Sequence, residues 1–330
     1  MSKTLLTGAG GSIGVHVLKH LIENTTEDII ATDSFRHKGY FDRLSQVKNE
    51  RVTVITHDLT APFTTRQLDS LKGVTKVINL ASLSDVQDSI DDPVPFIRNN
   101  TDIMLNILEA ARTLKPDIFL HFSTDEVYGP ADKDQGHPEW STILPSNPYA
   151  ASKAAQEAIA ISYWRSYGVP VVITNTMNNF GEMQSASKYP VKVQKAVEKG
   201  EKIQVHTASD GQIGTRYYLH SRNAADAVLF LLKRKPTLHQ PGQVDKPDRY
   251  NIVGDVQLDN LELAQTIAKL MGKELKYELV DFHSKEPGHD LHYGLDGTKL
   301  KEMGWEPPMS FDTSLQATIE WQQYNPEWIK

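Results

Sequence analysis

A chain of 330 residues, 39% of them hydrophobic, can bury a sizeable core as one large domain or as two smaller ones. Its net charge of −7 and scattered Lys and Arg argue against a nucleic acid or an anionic membrane as partner, and zero Cys excludes disulfides and thiolate metal sites. No stretch approaches about 18 consecutive apolar residues, and the amino terminus enters a strand-like run at once. We therefore expect a globular cytoplasmic protein with no signal peptide.

The first half of the chain alternates short β-branched runs with longer amphipathic runs, the pattern of repeated βαβ units. The predicted strands are residues 4–7, 29–32, 52–56, 76–80, 118–122 and 169–174, and the clearest helices are residues 13–24, 101–114 and 150–167. Right-handed crossovers between parallel strands give a doubly wound sheet, so the predicted fold class is α/β of the Rossmann type. Ligands bind such a sheet at the carboxyl ends of its strands.

Beyond about residue 177 the pattern loosens into loops, with further helical runs at residues 190–199 and 224–232. We expect the second of these runs to return to the main sheet. The predicted organisation is a dinucleotide-binding domain of residues 1–177 plus about 222–250, with a smaller C-terminal substrate-binding lobe of residues 178–221 and 251–330.

A glycine-rich turn lies between the first predicted strand and the first helix. Gly8, Gly11 and Gly14 stand at intervals of three, with Ser12 and Ile13 between the last two. Small residues here let the backbone and the helix N-terminus approach a pyrophosphate. A glycine cluster alone is also compatible with a plain tight turn.

Asp33 ends the second predicted strand about 20 residues later and is followed by Ser34. A carboxylate at this position bonds an adenosine ribose and repels a 2′-phosphate, which favours NAD over NADP. Arg36, three residues on, carries a guanidinium that suits a 2′-phosphate and leaves this preference open. The ends of the third and fourth strands face the same ligand and carry Asp58 and Leu59, and Leu80, Ala81 and Ser82.

Two stretches carry groups for moving protons. Tyr149 and Lys153 stand four apart at the start of a predicted helix, so both lie on one face, where an ammonium favours a phenolate. Thr124, Asp125 and Glu126 follow an apolar run and place a hydroxyl and two carboxyl groups at a strand end. Two carboxyl groups beside a Tyr base indicate an enzyme that moves several protons. The 12 His show no metal-ligand spacing, so we expect no metal site.

With these motifs in this order, the chain resembles the extended short-chain dehydrogenase/reductase family. Within it, the chain is most similar to the nucleotide-sugar 4,6-dehydratases, such as the dTDP-glucose 4,6-dehydratases. The resemblance covers nearly the whole chain, and Thr124-Asp125-Glu126 is its most specific part. It continues through Ser84, Asn178-Asn179-Phe180-Gly181, Lys188, Arg216, Tyr250-Asn251-Ile252 and Pro287-Gly288-His289-Asp290.

The resemblance implies a three-stage reaction on retained NAD, which converts an NDP-hexose of the dTDP-glucose or UDP-glucose type to its 4-keto-6-deoxy product. Tyr149, its proton affinity lowered by Lys153, removes the proton of the 4-hydroxyl group that Thr124 bonds, while the C4 hydride passes to NAD. Glu126 then removes the C5 hydrogen, and a protonated Asp125 donates to the departing 6-hydroxyl group. Hydride returns to C6 in the last stage.

The same resemblance implies ligand contacts and a partner. The NAD contacts are Gly8, Gly11, Ser12, Ile13, Gly14, Asp33, Ser34, Asp58, Leu59, Leu80, Ala81, Ser82, Asn99, Tyr149, Lys153 and Asn179. The substrate contacts are Ser84, Thr124, Asn178, Lys188, Arg216, Asn251 and His289. Asn178 and Asn251 also fit loop caps, and His289 fits a packing residue. Helices 101–114 and 150–167 are those that pair into a four-helix homodimer interface in this family.

Departures from the family pattern lie around the substrate and leave the nucleotide and the hexose open. Asp85 and Gln87 replace His and Asp, Asn175 and Glu286 each replace an Arg, and Glu182 replaces a Pro.

Two other functions remain possible for such a chain. An NAD-dependent 4-epimerase or decarboxylase of the family would share Tyr149 and Lys153 but would have no role for Asp125 and Glu126. A catalytically idle NAD-binding regulator would not need Tyr149, Lys153 and the pair Asp125 and Glu126 all to be present.

Overall fold

The computed structural model describes residues 2–37, 39–133, 135–283, 285 and 288–328. Its central sheet holds seven parallel strands, which are β1 (Lys3–Thr7), β2 (Asp28–Asp33), β3 (Val52–Thr56), β4 (Val74–Asn79), β5 (Ile118–Thr124), β6 (Val171–Thr176) and β10 (Asp248–Ile252). They lie in the order β10-β6-β5-β4-β1-β2-β3. The order reverses between β1 and β4, which is where ligands bind in doubly wound sheets. The predicted Rossmann-type α/β fold is confirmed.

Helices cover both faces of the central sheet. One face is covered by α1 (Ser12–Asn24) and α8 (Ser221–Leu232), and the other by α5 (Pro93–Leu114) and α6 (Pro148–Tyr167). Successive strand residues point to opposite faces, so Leu6 packs in the first core cluster and Leu5 in the second. Shorter helices in this part of the chain are α2 (Tyr40–Ser45), α3 (Thr65–Ser70) and α4 (Val86–Asp91).

The later part of the chain builds two small sheets with their own core. Strands β7 (Asn178–Phe180), β9 (Thr215–His220) and β11 (Gln257–Asp259) form one sheet, and β8 (Lys202–Thr207) and β12 (Lys276–Asp281) form the other. The helices here are α7 (Tyr189–Lys199), α9 (Asn260–Leu270), α10 (Thr298–Glu302) and α11 (Phe311–Tyr324). Apolar residues of α7, α9 and α11 pack with β8 and β9 in a third cluster.

Several element ends differ from the predicted ones. α5 begins at Pro93 rather than at residue 101, because a proline is accommodated in the first helical turn, where its missing N–H has no partner to lose. β6 begins at Val171, directly after a proline that cannot donate to the ladder. β10, which was not predicted as a strand, pairs with β6 and spans the expected boundary at residue 250. The run of residues 224–232 was expected to return to the main sheet; it lies in α8, which packs against α1.

None of the helices in the described part of the chain combines the length and the apolarity that crossing a bilayer requires.

Candidate active site

One cleft runs along the carboxyl ends of the central strands and reaches the segment after β7. The predicted site residues that line it are Gly8, Gly11, Ser12, Ile13, Gly14, Asp33, Ser34, Asp58, Leu59, Leu80, Ala81, Ser82, Ser84, Asn99, Thr124, Asp125, Glu126, Tyr149, Lys153, Asn178, Asn179 and Lys188. The structure therefore brings most of the predicted residues together. Arg216, Asn251 and His289, all of them described, are not among the lining residues.

The glycine-rich turn is packed so tightly that side chains are excluded at two positions. A Cβ atom on Gly14 would lie 2.1 Å from the carbonyl oxygen of Gly8. Gly8 itself has a φ of 68°, a conformation that favours glycine. Gly11 is the N-cap of α1, and the first turn of that helix opens on the cleft. The N–H groups and the dipole of a helix N-terminus fit the pyrophosphate of a dinucleotide.

Asp33 lies at the end of β2 with 5% of its surface exposed. Its Oδ2 accepts a hydrogen bond from the backbone N–H of Gly10 at 3.0 Å, and its Oδ1 accepts another from two residues on. Arg36 donates to Asn99 Oδ1 at 2.7 Å and pairs with Asp58 at 3.2 Å. The carboxylate is thus held in place and the guanidinium already has acceptors, an arrangement that fits the ribose of NAD better than a 2′-phosphate.

The two predicted carboxyl groups lie in a turn directly after β5. Thr124 ends the strand, and its hydroxyl caps one turn of 3-10 helix, Asp125–Tyr128. We call residues 124–128 the acidic turn. Every residue of β5 is buried, so the sheet holds the start of this turn rigidly at the cleft.

Asp125 has a different pKa from an ordinary carboxyl group because its side chain is buried. Its Oδ1 accepts the hydroxyl proton of Thr124 at 2.9 Å, and within the described residues its Oδ2 has no hydrogen-bond partner. Burial, and then the charge of Glu126, raises the pKa of Asp125 to about 7. A carboxyl group with this pKa is protonated in a large fraction of molecules at neutral pH and can serve as an acid.

Glu126 accepts two hydrogen bonds on one of its carboxyl oxygens. Its Oε2 accepts hydrogen bonds from Asn147 Nδ2 at 3.1 Å and from the Tyr293 hydroxyl at 3.4 Å. Burial raises the pKa of Glu126, while the hydrogen bond from Asn147 and the charges of Arg216 and Lys188 oppose the rise. The two hydrogen bonds hold the carboxyl group in place at the cleft, where its ionised form can accept a proton.

Lys153 lies on α6 at the floor of the cleft. Its Nζ donates to the carbonyl oxygen of Phe122 at 2.9 Å and to Gln156 Oε1 at 2.8 Å. Burial lowers the pKa of Lys153 to about 7, and the charge of Glu157, one helical turn further on, opposes that effect. The ammonium is thus anchored to β5 and to its own helix.

The side chain of Tyr149 is the one point at which the electrostatics differ from the prediction. Burial, and then the charge of Glu126, raises its pKa, and only its hydrogen bond with Thr124 lowers it appreciably. The expected lowering of its proton affinity by Lys153 is therefore absent from this structure. The physical reason is that the loss of hydration disfavours the phenolate, while the hydrogen bonds of Lys153 go to Phe122 and Gln156.

Two cations were predicted for the substrate end, and both are engaged by protein groups. Lys188 lies 3.6 Å from Asp85 and donates to the carbonyl oxygen of Ser84 at 3.4 Å. Arg216 donates to the carbonyl oxygens of Thr215, Asp290 and Leu291 and lies over the ring of Tyr293 at 4.3 Å. Arg216 still lies near enough to the acidic turn to lower the pKa of both its carboxyl groups.

The placement of Asn251 does not support its predicted substrate contact. It is fully buried in β10, and its Nδ2 donates to the carbonyl oxygens of His137 and Asp296. This is the loop-bracing role that was the alternative. His289 hydrogen-bonds Gln87 Oε1 at 3.0 Å outside the lining of the cleft.

The departures from the family pattern have partners within this chain. Asp85 pairs with Lys188, and Gln87 contacts His289. Glu182 lies 3.2 Å from His220 and 3.5 Å from His16. Burial would raise its pKa, but the hydrogen bond and charge of His220 hold it at about 2. Glu286 and Pro287 lie outside the described residues.

Several residues that support the site were not predicted. Asn147 caps α6 and also holds Glu126, and its Asn-Pro sequence before Tyr149 is the signal that was available for a helix cap. Tyr293 and Arg249 reach the acidic turn from distant segments and carry no local signal. The described residues contain no group of three or more metal-ligating side chains suited to a metal ion.

Comparison with known proteins places this cleft in a family context. The family model described as GDP-mannose 4,6 dehydratase matches residues 5–318. The dTDP-glucose 4,6-dehydratase of Escherichia coli is 31% identical over 360 residues, which cover 99% of this chain and 95% of that relative. The dTDP-glucose 4,6-dehydratase of Haemophilus influenzae is 31% identical over 353 residues, covering 98% of this chain and 99% of the relative.

Solved structures similar to this one include a dTDP-glucose 4,6-dehydratase, the same kind of enzyme as the two sequence relatives. The dTDP-glucose 4,6-dehydratase of Streptomyces venezuelae, crystallised with NAD and TYD bound, has a TM-score of 0.87 and 27% identity, with full coverage of both chains. A Thermus thermophilus UDP-glucose 4-epimerase with NAD has a TM-score of 0.82 at 23% identity, a likeness of fold alone. The chain belongs to the GDP-mannose 4,6-dehydratase family, within the extended short-chain dehydrogenases/reductases, alongside the dTDP-glucose 4,6-dehydratases.

Proposed function

We propose that this protein is an NAD-dependent nucleotide-sugar 4,6-dehydratase, which converts an NDP-hexose to the NDP-4-keto-6-deoxyhexose with loss of one water. The observation that carries the proposal is the acidic turn, where two adjacent carboxyl groups, Asp125 and Glu126, share one cleft with Tyr149 and both have pKa values raised by burial. A 4-epimerase needs a Tyr base but no such acid and base pair. The dehydratase reaction needs both.

NAD fits the glycine-rich end of the cleft. The tight turn at Gly8 and Gly14, the N-terminus of α1 and the buried carboxylate of Asp33 suit a pyrophosphate and a ribose. Bound NAD supplies a hydride acceptor for C4 of the sugar that later returns the hydride to C6, and a positive charge that favours the Tyr149 phenolate.

Tyr149 acts as the base for the 4-hydroxyl group. Its phenolate accepts that proton while Thr124 orients the hydroxyl group, and the C4–H bond breaks with loss of hydride to give a 4-ketone. Lys153, anchored to Phe122, lies on the same face of α6 and places a positive charge there in its protonated form. The ketone makes the C5 hydrogen acidic.

The acidic turn then performs the elimination. Glu126 accepts the C5 proton, and Asp125 donates its proton to the 6-hydroxyl group as the C6–O bond breaks and water leaves. After hydride has returned to C6, Glu126 gives its proton back to C5. The proton taken up by Tyr149 restores Asp125, and the Thr124 hydroxyl, bonded to both side chains, connects them.

Ser84, Asn178 and Lys188 line the substrate end of the cleft, and Arg216 lies behind it. Diphosphates bind readily to Lys and Arg, which supports an NDP-hexose of the dTDP-glucose or UDP-glucose type.

We further propose a homodimer that pairs α5 and α6 of each copy into a four-helix interface. The two helices pack against each other and expose apolar side chains, among them Val94, Leu105 and Tyr167.

The test is to incubate the protein and NAD with dTDP-, UDP-, CDP- and GDP-hexoses and to measure product mass. Loss of one water from one or more of these substrates supports the proposal. A product of unchanged mass with inverted C4 would instead identify a 4-epimerase, and no turnover of any substrate would favour the idle regulator.

A further inference from the structure

A charged pair is buried directly behind the acidic turn. Arg249 of β10 donates through Nη2 to Oε2 of Glu157 on α6 at 2.6 Å, and both side chains are fully buried. Such a pair gives little net stability compared with apolar residues of the same volume, because both ions lose their hydration. Stability alone therefore does not account for it.

The pair is hydrogen-bonded to both ends of the acidic turn. Asn175 Nδ2 donates to Glu157 Oε1 at 2.8 Å and to the carbonyl oxygen of Thr124 at 2.9 Å. The Tyr128 hydroxyl accepts from Arg249 Nη1 at 3.0 Å and donates to Asn175 Oδ1 at 3.3 Å. Thr124 begins the turn and Tyr128 ends it, so its backbone is held on either side of the two carboxyl groups.

The same pair is tied to the helix that carries the Tyr base. Glu157 follows Lys153 by four residues on α6, so the two side chains lie on one face of that helix. The links of Glu157 to Arg249 and Asn175 join α6 to β10 and β6, which are neighbours in the central sheet. The acidic turn and the face of α6 that carries Lys153 are therefore connected through side chains that no water reaches.

We propose that the Glu157–Arg249 pair is a positioning site, which holds the acidic turn at a fixed place relative to Tyr149 and Lys153. The inference rests on the proposed function, because that function assigns the turn to the elimination step. A shift of about 1 Å between such groups slows a reaction by roughly 10²-fold, so the rigidity of the link matters for rate.

Glu157 also acts on Lys153 through its charge, against the burial that lowers the pKa of this lysine to about 7. Other titratable groups near Lys153 are Tyr149 on the same helix and His121 on β5. Burial, and then the charges of Lys153 and Arg249, holds the pKa of His121 well below its usual value, so this imidazole is neutral. Glu157 is thus the nearby anion whose removal changes the charge state of Lys153 most directly.

Three variants separate positioning from simple structural support. Glu157→Gln keeps the shape and removes the charge, and Tyr128→Phe removes one link. The double variant Glu157→Leu/Arg249→Met replaces both charged residues by apolar ones. Neither replacement leaves an unpaired charge in the core. Glu27→Gln is the control, because it breaks an ion pair with Lys76 near the amino ends of β2 and β4, two other strands of the same sheet. Thermal unfolding and NAD binding show which variants are folded.

The first readout is NADH absorbance in a single turnover with dTDP-6-deoxyglucose, which can be oxidised at C4 but has no 6-hydroxyl group to lose. For Glu157→Gln we expect the alkaline limb of the oxidation rate to move by about 1 pH unit to lower pH, as the pKa of Lys153 falls.

For the double variant we expect NAD binding within about twofold of the unmodified protein and dehydration of dTDP-glucose slowed by roughly 10²-fold. Tyr128→Phe should slow dehydration by about 5- to 10-fold without moving the pH limb.

The second readout needs no turnover. In protein labelled with ¹⁵N-lysine, assigned through Lys153→Arg, the Nζ of Lys153 should titrate at lower pH in Glu157→Gln than in the unmodified protein. The proposal is overturned if a folded double variant dehydrates within twofold of the unmodified protein, or if the Lys153 titration does not move. If the unmodified protein dehydrates no nucleotide sugar, the proposed function fails, and the Lys153 titration alone decides whether the pair acts on α6.

Discussion

At the glycine-rich end of the cleft, backbone atoms set the geometry. Gly14 packs closely on the carbonyl oxygen of Gly8, and the backbone N–H of Gly10 donates a hydrogen bond to Asp33. At the substrate end, side chains from distant segments set the geometry, as in the contact of Lys188 with Asp85. The first end leaves little freedom, because a tight turn accepts few side chains. The second end can change its partners by single substitutions. The ligand that varies between relatives should therefore be recognised at the second end.

Between the two ends lie the groups that transfer protons, and changing them tests whether the cleft works as one site. Tyr149→Phe removes only a hydroxyl group, so the fold should survive while C4 oxidation slows by more than about 10³-fold, in the upper part of the usual range for one positioned base. NADH absorbance on adding substrate is the measurement, with Tyr324→Phe, an exposed position, as control. Retention of most of the turnover would rule out Tyr149 as the base.

The acidic turn should separate elimination from oxidation. Asp125→Asn and Glu126→Gln should leave hydride transfer to NAD intact while water loss slows by about 10²–10⁴-fold, so that enzyme-bound NADH accumulates with a 4-keto-hexose. Exchange of the C5 hydrogen with heavy water should slow most in Glu126→Gln. Unchanged dehydration in both variants would contradict the assignment and favour the epimerase.

A substitution of Asp33 tests the glycine-rich end of the cleft. Asp33→Ala should weaken NAD binding by about 1.5–3 kcal/mol, the scale of a hydrogen bond to a charged group, because the carboxylate that fits the ribose is lost. Calorimetric titration with NAD and NADP measures this, and Asp28→Ala, at the other end of β2, is the control. Equal affinity of the unmodified protein for both cofactors would count against the role of Asp33.

The raised pKa of Asp125 predicts a pH dependence. Only its protonated form donates to the 6-hydroxyl group, and that form is lost as pH rises through about 7. We expect the elimination rate to fall by about tenfold per pH unit on the alkaline side, in line with the loss of the acid form. The measurement is water loss under single-turnover conditions from pH 6 to pH 9. A rate that is flat across this range would mean that Asp125 is not the acid.

The smallest effect is expected at the substrate end. Asp85→Asn keeps an acceptor for its cap of α4 but releases Lys188 from an ion pair that is partly exposed. Such pairs are worth about 0.2–1 kcal/mol, so KM for a nucleotide diphosphate sugar should fall by up to about fivefold with kcat unchanged. Asp69→Asn, which breaks an exposed pair with Lys72, is the control. A raised KM would show that Asp85 itself contacts the substrate.

Local sequence was enough to predict the central fold and most residues that line the cleft. The glycine turn, Asp33, Thr124-Asp125-Glu126 and Tyr149 with Lys153 each lie at the end of a strand or the start of a helix. In a parallel sheet all such ends meet at one edge, so the order of elements along the chain already places these groups together.

Tertiary structure decided how those groups are tuned and braced. The pKa values of Asp125, Tyr149 and Lys153 follow from burial, which depends on residues far away in the sequence. Tyr293 and Arg249 reach the acidic turn across more than a hundred residues, and Asn251 is drawn into the sheet rather than the cleft. No local pattern records such contacts, because hydration loss and side-chain pairing are set only when distant segments pack together.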